Sequence, residues 1–156
     1  MAENFHEFLI TADAAVIDGN GHMNNVAYVD WMQRAALSHA GTWRIEELME
    51  RDSATWFARR HGIEYLRPVF EKDEIKVYTW IESAERVKSL RRYEFFRGEE
   101  MVARGETEWV CVNVETGRPK RIPVEMREFI RESDQYSSTG LWLGRAGSKR
   151  SVPTTS

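Results

Sequence analysis

The spacing of apolar positions changes twice along the chain. Phe5 to Ile17 carries apolar residues and few turn formers, which predicts a first strand running into the polar, Gly-rich stretch Asp18-Gly19-Asn20-Gly21-His22. From Asn24 the period becomes helical: Val26, Val29, Met32, Ala36 and Ala40 recur at three- and four-residue steps, with Tyr28 and Ala35 beside them. Asp30 and Arg34 stand as an i,i+4 pair on the other side, and Gly41 supplies a C-terminal cap after about four turns. Trp43 to Arg51 predicts a short second helix with Ile45, Leu48 and Met49 on one side.

Beyond Asp52 the period is two. Thr55 to Leu66 is rich in β-formers and stops at Pro68, while Ile75, Val77, Thr79 and Ile81 alternate with Lys76, Tyr78, Trp80 and Glu82. Next, Leu90, Arg92 and Glu94 alternate with Arg91, Tyr93 and Phe95, and Gly98 turns the chain into Met101 to Val114. These are consecutive antiparallel strands. Thr116-Gly117-Arg118-Pro119 is a turn, and Pro123 ahead of Val124, Met126, Phe129 and Ile130 opens a short helix. A single amphipathic helix of this length buries its stripe only against the sheet, so the order predicts an α+β fold with the sheet wrapped about one helix. The remaining helix face and the sheet edges need cover, which predicts dimerisation, with edge-strand pairing as one route.

Composition narrows the class of protein. The 156 residues are 42% hydrophobic, 12% aromatic and 30% charged, which describes one globular domain rather than a disordered chain. From about Asp134 the residues drift to Ser, Thr, Gly and Arg, so the expected organisation is a domain over 1–133 and a tail over 134–156. The single Cys111 forms no internal disulfide. No apolar run approaches the roughly 18 residues of a membrane span, and the start MAENFHEFLI has acids where a secretory signal needs a basic region. The expectation is a cytoplasmic protein with no membrane partner. The 22 Lys+Arg against 25 Asp+Glu leave a net charge of -3, which gives no pull toward nucleic acid.

The densest run of chemical groups is Asp18-Gly19-Asn20-Gly21-His22-Met23-Asn24-Asn25-Val26-Ala27-Tyr28, at the start of the long helix. A helix N-terminus presents unpaired N–H groups that can stabilise an oxyanion developing during acyl transfer. Asp18, a few residues upstream, can serve as general base on a water or attack a carbonyl itself, while an N–H near Asn25 polarises the carbonyl oxygen. Asp18, Asn20 and Asn24 serve equally well as turn and cap residues, and the two readings are compatible.

These residues resemble a known pattern. Asp18, three residues before Gly21-His22, followed by Asn24-Asn25 and Tyr28, is similar to the D-x-x-G-H-x-N-N-x-x-Y motif of the 4-hydroxybenzoyl-CoA thioesterase-like acyl-CoA thioesterases. Ile63-Glu64-Tyr65-Leu66-Arg67-Pro68 with Asp73, and Thr116-Gly117-Arg118-Pro119 with Ile122-Pro123, resemble later segments of that family. The resemblance implies the hotdog fold, an antiparallel sheet of five or six strands around a long central helix. It implies an acyl-CoA thioesterase with Asp18 as catalytic carboxylate and the Asn25 N–H as oxyanion donor. His22 and Asn24 fall on positions that line or shape the site, and Tyr28 on an aromatic position of the helix. Homodimers or dimers of dimers follow from the same resemblance. No cofactor or metal is expected, CoA being part of the substrate. One departure is Val16, where many relatives carry an aspartate two residues before the catalytic one.

Other signals carry less. Gly19-Asn20-Gly21 lacks the third glycine of a dinucleotide fingerprint, and the calcium-loop spacing of Asp18, Asn20 and His22 meets Met23 where glycine is needed. His39 and His61 read as ordinary helix and strand residues, and Cys111 as a buried small hydrophobe. Most of the six tryptophans read as core or interface residues; the alternative is that one or two, with Trp31 on the helix as a substrate-binding candidate, line an acyl pocket. The basic clusters Arg59-Arg60, Arg86 to Lys88, Arg91-Arg92 and Lys120-Arg121 read as solvated strand faces, one of them a candidate for CoA phosphates. Since hotdog proteins also include hydratases and dehydratases, an acyl-CoA hydratase and a non-catalytic acyl-CoA-binding protein are the alternative functions.

Overall fold

The period-two segments all become strands in the computed structural model, which describes residues 3–138. They are β1 (His6–Thr11), β2 (Ala54–Tyr65), β3 (Glu74–Glu85), β4 (Lys88–Arg97) and β5 (Glu100–Asn113). Together they form one five-stranded antiparallel sheet in the order β1-β3-β4-β5-β2. The helices are α1 (Asn25–Ala40), α2 (Ile45–Arg51) and α3 (Val124–Ser138). The central helix α1 has 16 residues, and Asn24 and Gly41 cap it as the sequence predicts.

Two boundaries differ from expectation. The first strand ends at Thr11 because the Asp13 carboxylate accepts the Ala15 N–H at 3.0 Å and caps a 3-10 turn over Ala14–Val16. The C-terminal helix is 15 residues long rather than short, running past the expected tail boundary at 134. The rest of that tail, 139–156, lies outside the described residues.

Helix α1 lies against the inward sheet face. Its Ala27, Tyr28, Trp31, Met32 and Ala35 share a core with Ile75, Val77, Tyr93, Phe95, Val102 and Ala103. This contact requires Gly105: a Cβ there would stand 3.0 Å from both the Gly62 carbonyl oxygen and the Met32 sulfur. The outward face is only partly wet. Tyr78 and Trp80, on the polar phase of the β3 alternation, are buried because Phe5 stacks on both, at 5.5 and 5.9 Å between centroids. A third cluster of Leu48, Met49, Cys111, Ile122 and Met126 joins α2 and α3 to the sheet, flanked by Trp43 stacked on Phe129 at 4.4 Å. Cys111 is fully buried, and burial pushes its thiol up to about 11.

The basic clusters divide differently from the expected solvated faces. Arg60 and Arg92 both pair with Glu106, and Arg59 pairs with Glu108. Arg91 is no surface residue at all: it points inward, in phase with Tyr93 and Phe95, and is 5% exposed. Among the described residues no helix is long and apolar enough to cross a membrane.

Candidate active site

The segment from Val16 to Asn24 folds back on itself as a small hairpin. Ile17 bridges Met23, and beyond that pair the Asp18 N–H donates to the His22 carbonyl at 2.7 Å. The reversal needs a left-handed residue, and Gly21 supplies it at φ 79 while donating its N–H to the Asp18 carbonyl at 3.0 Å. The Asp18 carboxylate oxygen Oδ1 accepts the N–H groups of Asn20 at 2.9 Å and His22 at 3.2 Å. Backbone donors thus orient this carboxylate, and it remains exposed to solvent.

Asn24 ties the hairpin to the helix. Its Oδ1 accepts the Ala27 N–H at 2.8 Å, and both its backbone N–H and its Nδ2 donate to the Val16 carbonyl, at 2.8 and 2.9 Å. The cap consumes the third helical N–H and leaves those of Asn25 and Val26 without an acceptor among the described residues. Both residues are exposed, Val26 at 78%. Asp18 and the free N–H of Asn25 therefore flank the same Asn24-anchored hairpin.

The remaining sequence candidates lie in two settings. His22 is exposed beside Asp18, engages it through backbone atoms, and sets its ring edge-on to Phe70 at 5.4 Å. Tyr28 and Trp31 are buried in the core, at 3% and 2% exposure. Tyr28 packs edge-on against Tyr65 and Phe95, and burial, then Tyr65, pushes its phenol up to about 12.

Sequence reasoning missed the support beneath the hairpin. The Val69 carbonyl accepts the Met23 N–H at 2.8 Å, and Arg97 holds the neighbouring segment by donating to the Pro68 carbonyl and the Asp73 carboxylate at 2.9 and 2.8 Å. It also missed a buried polar cluster in which Arg91 donates to His39 Nδ1 at 2.9 Å and to Thr79 Oγ1 at 3.0 Å. The usable signal was the register, since Arg91 alternates in phase with Tyr93 and Phe95. Among the described residues no three His, Cys, Asp or Glu side chains converge as a metal site.

Over residues 13–130 the chain matches the thioesterase-like superfamily. No curated protein matches it. A DHNA-CoA thioesterase from Staphylococcus aureus superposes with a TM-score of 0.78 at 23% identity, covering 87% of this chain and 95% of that one. A 1,4-dihydroxy-2-naphthoyl-CoA thioesterase from Synechocystis gives a TM-score of 0.72 at 17% identity, covering 83% and 98%. A hypothetical protein from Staphylococcus aureus, solved in complex with CoA, gives 0.74 at 17% identity, covering 86% and 87%. At these identities the likeness shows the fold, which is the hotdog arrangement of sheet and central helix.

Proposed function

The chain belongs to the thioesterase-like superfamily and is a hydrolase of thioester bonds; from that premise we propose that its substrate is an acyl-CoA, cleaved at the Asp18–Asn25 hairpin to a carboxylic acid and free CoA. The observation that carries this reading is the pairing of an exposed, backbone-oriented carboxylate with an uncommitted helix N-terminal N–H across one short hairpin.

In the general-base route, Asp18 takes a proton from water as the water oxygen attacks the thioester carbonyl. The carbonyl oxygen becomes an oxyanion that accepts the Asn25 N–H, at the positive end of the α1 dipole. Collapse re-forms the C=O, breaks the C–S bond and expels CoA thiolate, which takes up a proton. In the nucleophilic route the Asp18 oxygen itself attacks, thiolate leaves, and water then cleaves the resulting anhydride. A thioester is electrophilic enough for an oriented carboxylate and one oxyanion site to act without a serine nucleophile.

The same reading includes a dimer. β2 is an edge strand of 12 residues, and it exposes Phe57 at 60% and Tyr65 at 46%. A long unpaired edge that exposes two aromatic side chains favours pairing with a second copy. With Arg91 buried and Arg59, Arg60 and Arg92 paired to glutamates, the clusters around Arg86–Lys88 and Lys120–Arg121 are the remaining candidates for CoA phosphates.

A thiol-release screen over short, long and aromatic acyl-CoAs, with Asp18→Ala as control, tests the reaction. Release by the wild type and not by the variant is expected. Absence of release from every acyl-CoA, or hydration of an enoyl-CoA without thiol release, overturns it.

A further inference from the structure

Away from the Asp18 hairpin, a cleft of ≈ 340 Å³ opens between the second half of α1, α2, α3 and the inward sheet face. Its apolar wall includes Ala36, Ala40, Ile45, Trp56, Trp109 and Met126. Ala36 is 11 residues along the helix from Asn25, which at 1.5 Å per residue is about 16 Å of axis. This cleft is distinct from the hairpin of the same chain.

Among the described residues of the wall Arg91 is the one charged side chain, and none is acidic. Its surroundings fix its donors. Thr79 Oγ1 gives its own proton to the Arg92 carbonyl at 2.9 Å, so it can only accept from Arg91. The His39 Nε2 donates to the Glu3 carbonyl at 2.7 Å, so Nδ1 offers Arg91 a lone pair. Both bonds come from Nη1, and both partners are neutral. A guanidinium has five N–H donors; the Nε–H and the two on Nη2 have no acceptor among the described residues, and no carboxylate there pairs with Arg91.

A buried cation without a counter-charge is costly, and a guanidinium edge with Nε–H and Nη2–H free matches the two oxygens of a carboxylate. We propose that the cleft is a binding site for an organic acid, whose apolar body fills the space beside Trp56 and Trp109 and whose carboxylate accepts the free edge of Arg91. His39 and Thr79 are positioning residues that hold Nη1 and so turn that edge toward the ligand. The site does not depend on the acyl-CoA reading, although thioester hydrolysis releases acids of this class.

Isothermal titration of the full chain with octanoate and with octanamide tests the proposal, because the two share an apolar body and differ in charge. Octanoate is expected to bind at least tenfold more tightly, Arg91→Gln to abolish that preference, and Ala40→Phe to weaken both ligands by filling the cleft. Equal binding of the two ligands by wild type, no binding of octanoate, or a preference that survives Arg91→Gln overturns it. Should Arg91→Gln fail to fold, the wild-type ratio and the Ala40→Phe titration decide the matter alone.

Discussion

Arg91 Nη1 lies 2.9 Å from His39 Nδ1 inside the core, so two basic side chains share a hydrogen bond that only a neutral imidazole can accept. Burial, and after it the Arg91 charge, pushes the His39 imidazole down to about 3, with the Glu3 carbonyl opposing and the stacked His6 adding to the shift. Between the ordinary histidine value of about 6.5 and 3, the unfolded chain binds a proton that the folded chain does not. His39 therefore contributes stability above pH 6.5 that is lost as pH falls toward 3, with a slope of up to about 1.4 kcal/mol per pH unit. Chemical denaturation at pH 7 and pH 5 is expected to show a larger loss for wild type than for His39→Asn, which keeps an acceptor for Arg91 and cannot titrate. Equal losses in the two proteins contradict this account.

Asp18 has a structural role that its chemical role can be separated from. Its Oδ1 accepts two loop N–H groups. Asp18→Asn keeps an acceptor oxygen in place, so thermal unfolding is expected near the wild-type temperature while kcat falls by about 10³ or more. Asp18→Ala loses turnover to the same degree and about 1 kcal/mol of stability besides. Wild-type-like turnover by the asparagine variant removes Asp18 from the chemistry.

Asn24 joins the hairpin to α1 through one side chain and its own N–H. Asn24→Ala removes the helix cap and the Nδ2 bond to Val16 together, for a loss of about 1–2 kcal/mol. Asn24→Asp keeps the cap and loses the Nδ2 bond. A smaller denaturation shift for aspartate than for alanine is the expected order, and the reverse order tells against the cap.

The close approach of Met32 to Gly105 leaves no room for a side chain. Gly105→Ala places a methyl 3.0 Å from backbone oxygen at Gly62 and from the Met32 sulfur, at an expected cost of about 1–3 kcal/mol. Met32→Ala in the same chain relieves only the sulfur contact, so rescue measured by denaturant midpoint should be partial. Full rescue means that the Gly62 carbonyl is not a limiting contact.

The exposed edge at β2 gives the oligomer a direct probe. Sedimentation of the wild type is expected to show a dimer, and Phe57→Lys, which puts a charge on the long edge strand, to shift it toward monomer. A wild-type monomer at micromolar concentration contradicts edge pairing.

The sequence by itself determined the main strands and helices, their order and the Gly-rich loop that carries the proposed chemistry. Those features are local: the 3.6 and 2 periods, the Asn24 and Gly41 caps and the glycine turn each depend on residues within a few positions. Even the inward phase of Arg91 was written in the alternation with Tyr93 and Phe95. Tertiary structure alone decided what met across the chain. Phe5 buried Tyr78 and Trp80 from a strand away, and α1 delivered His39 to Arg91, 52 residues on. It also opened the cleft that leaves the guanidinium edge without an acceptor among the described residues. Burial and long-range hydrogen bonding depend on which segments the folded chain brings together, and no local period encodes that.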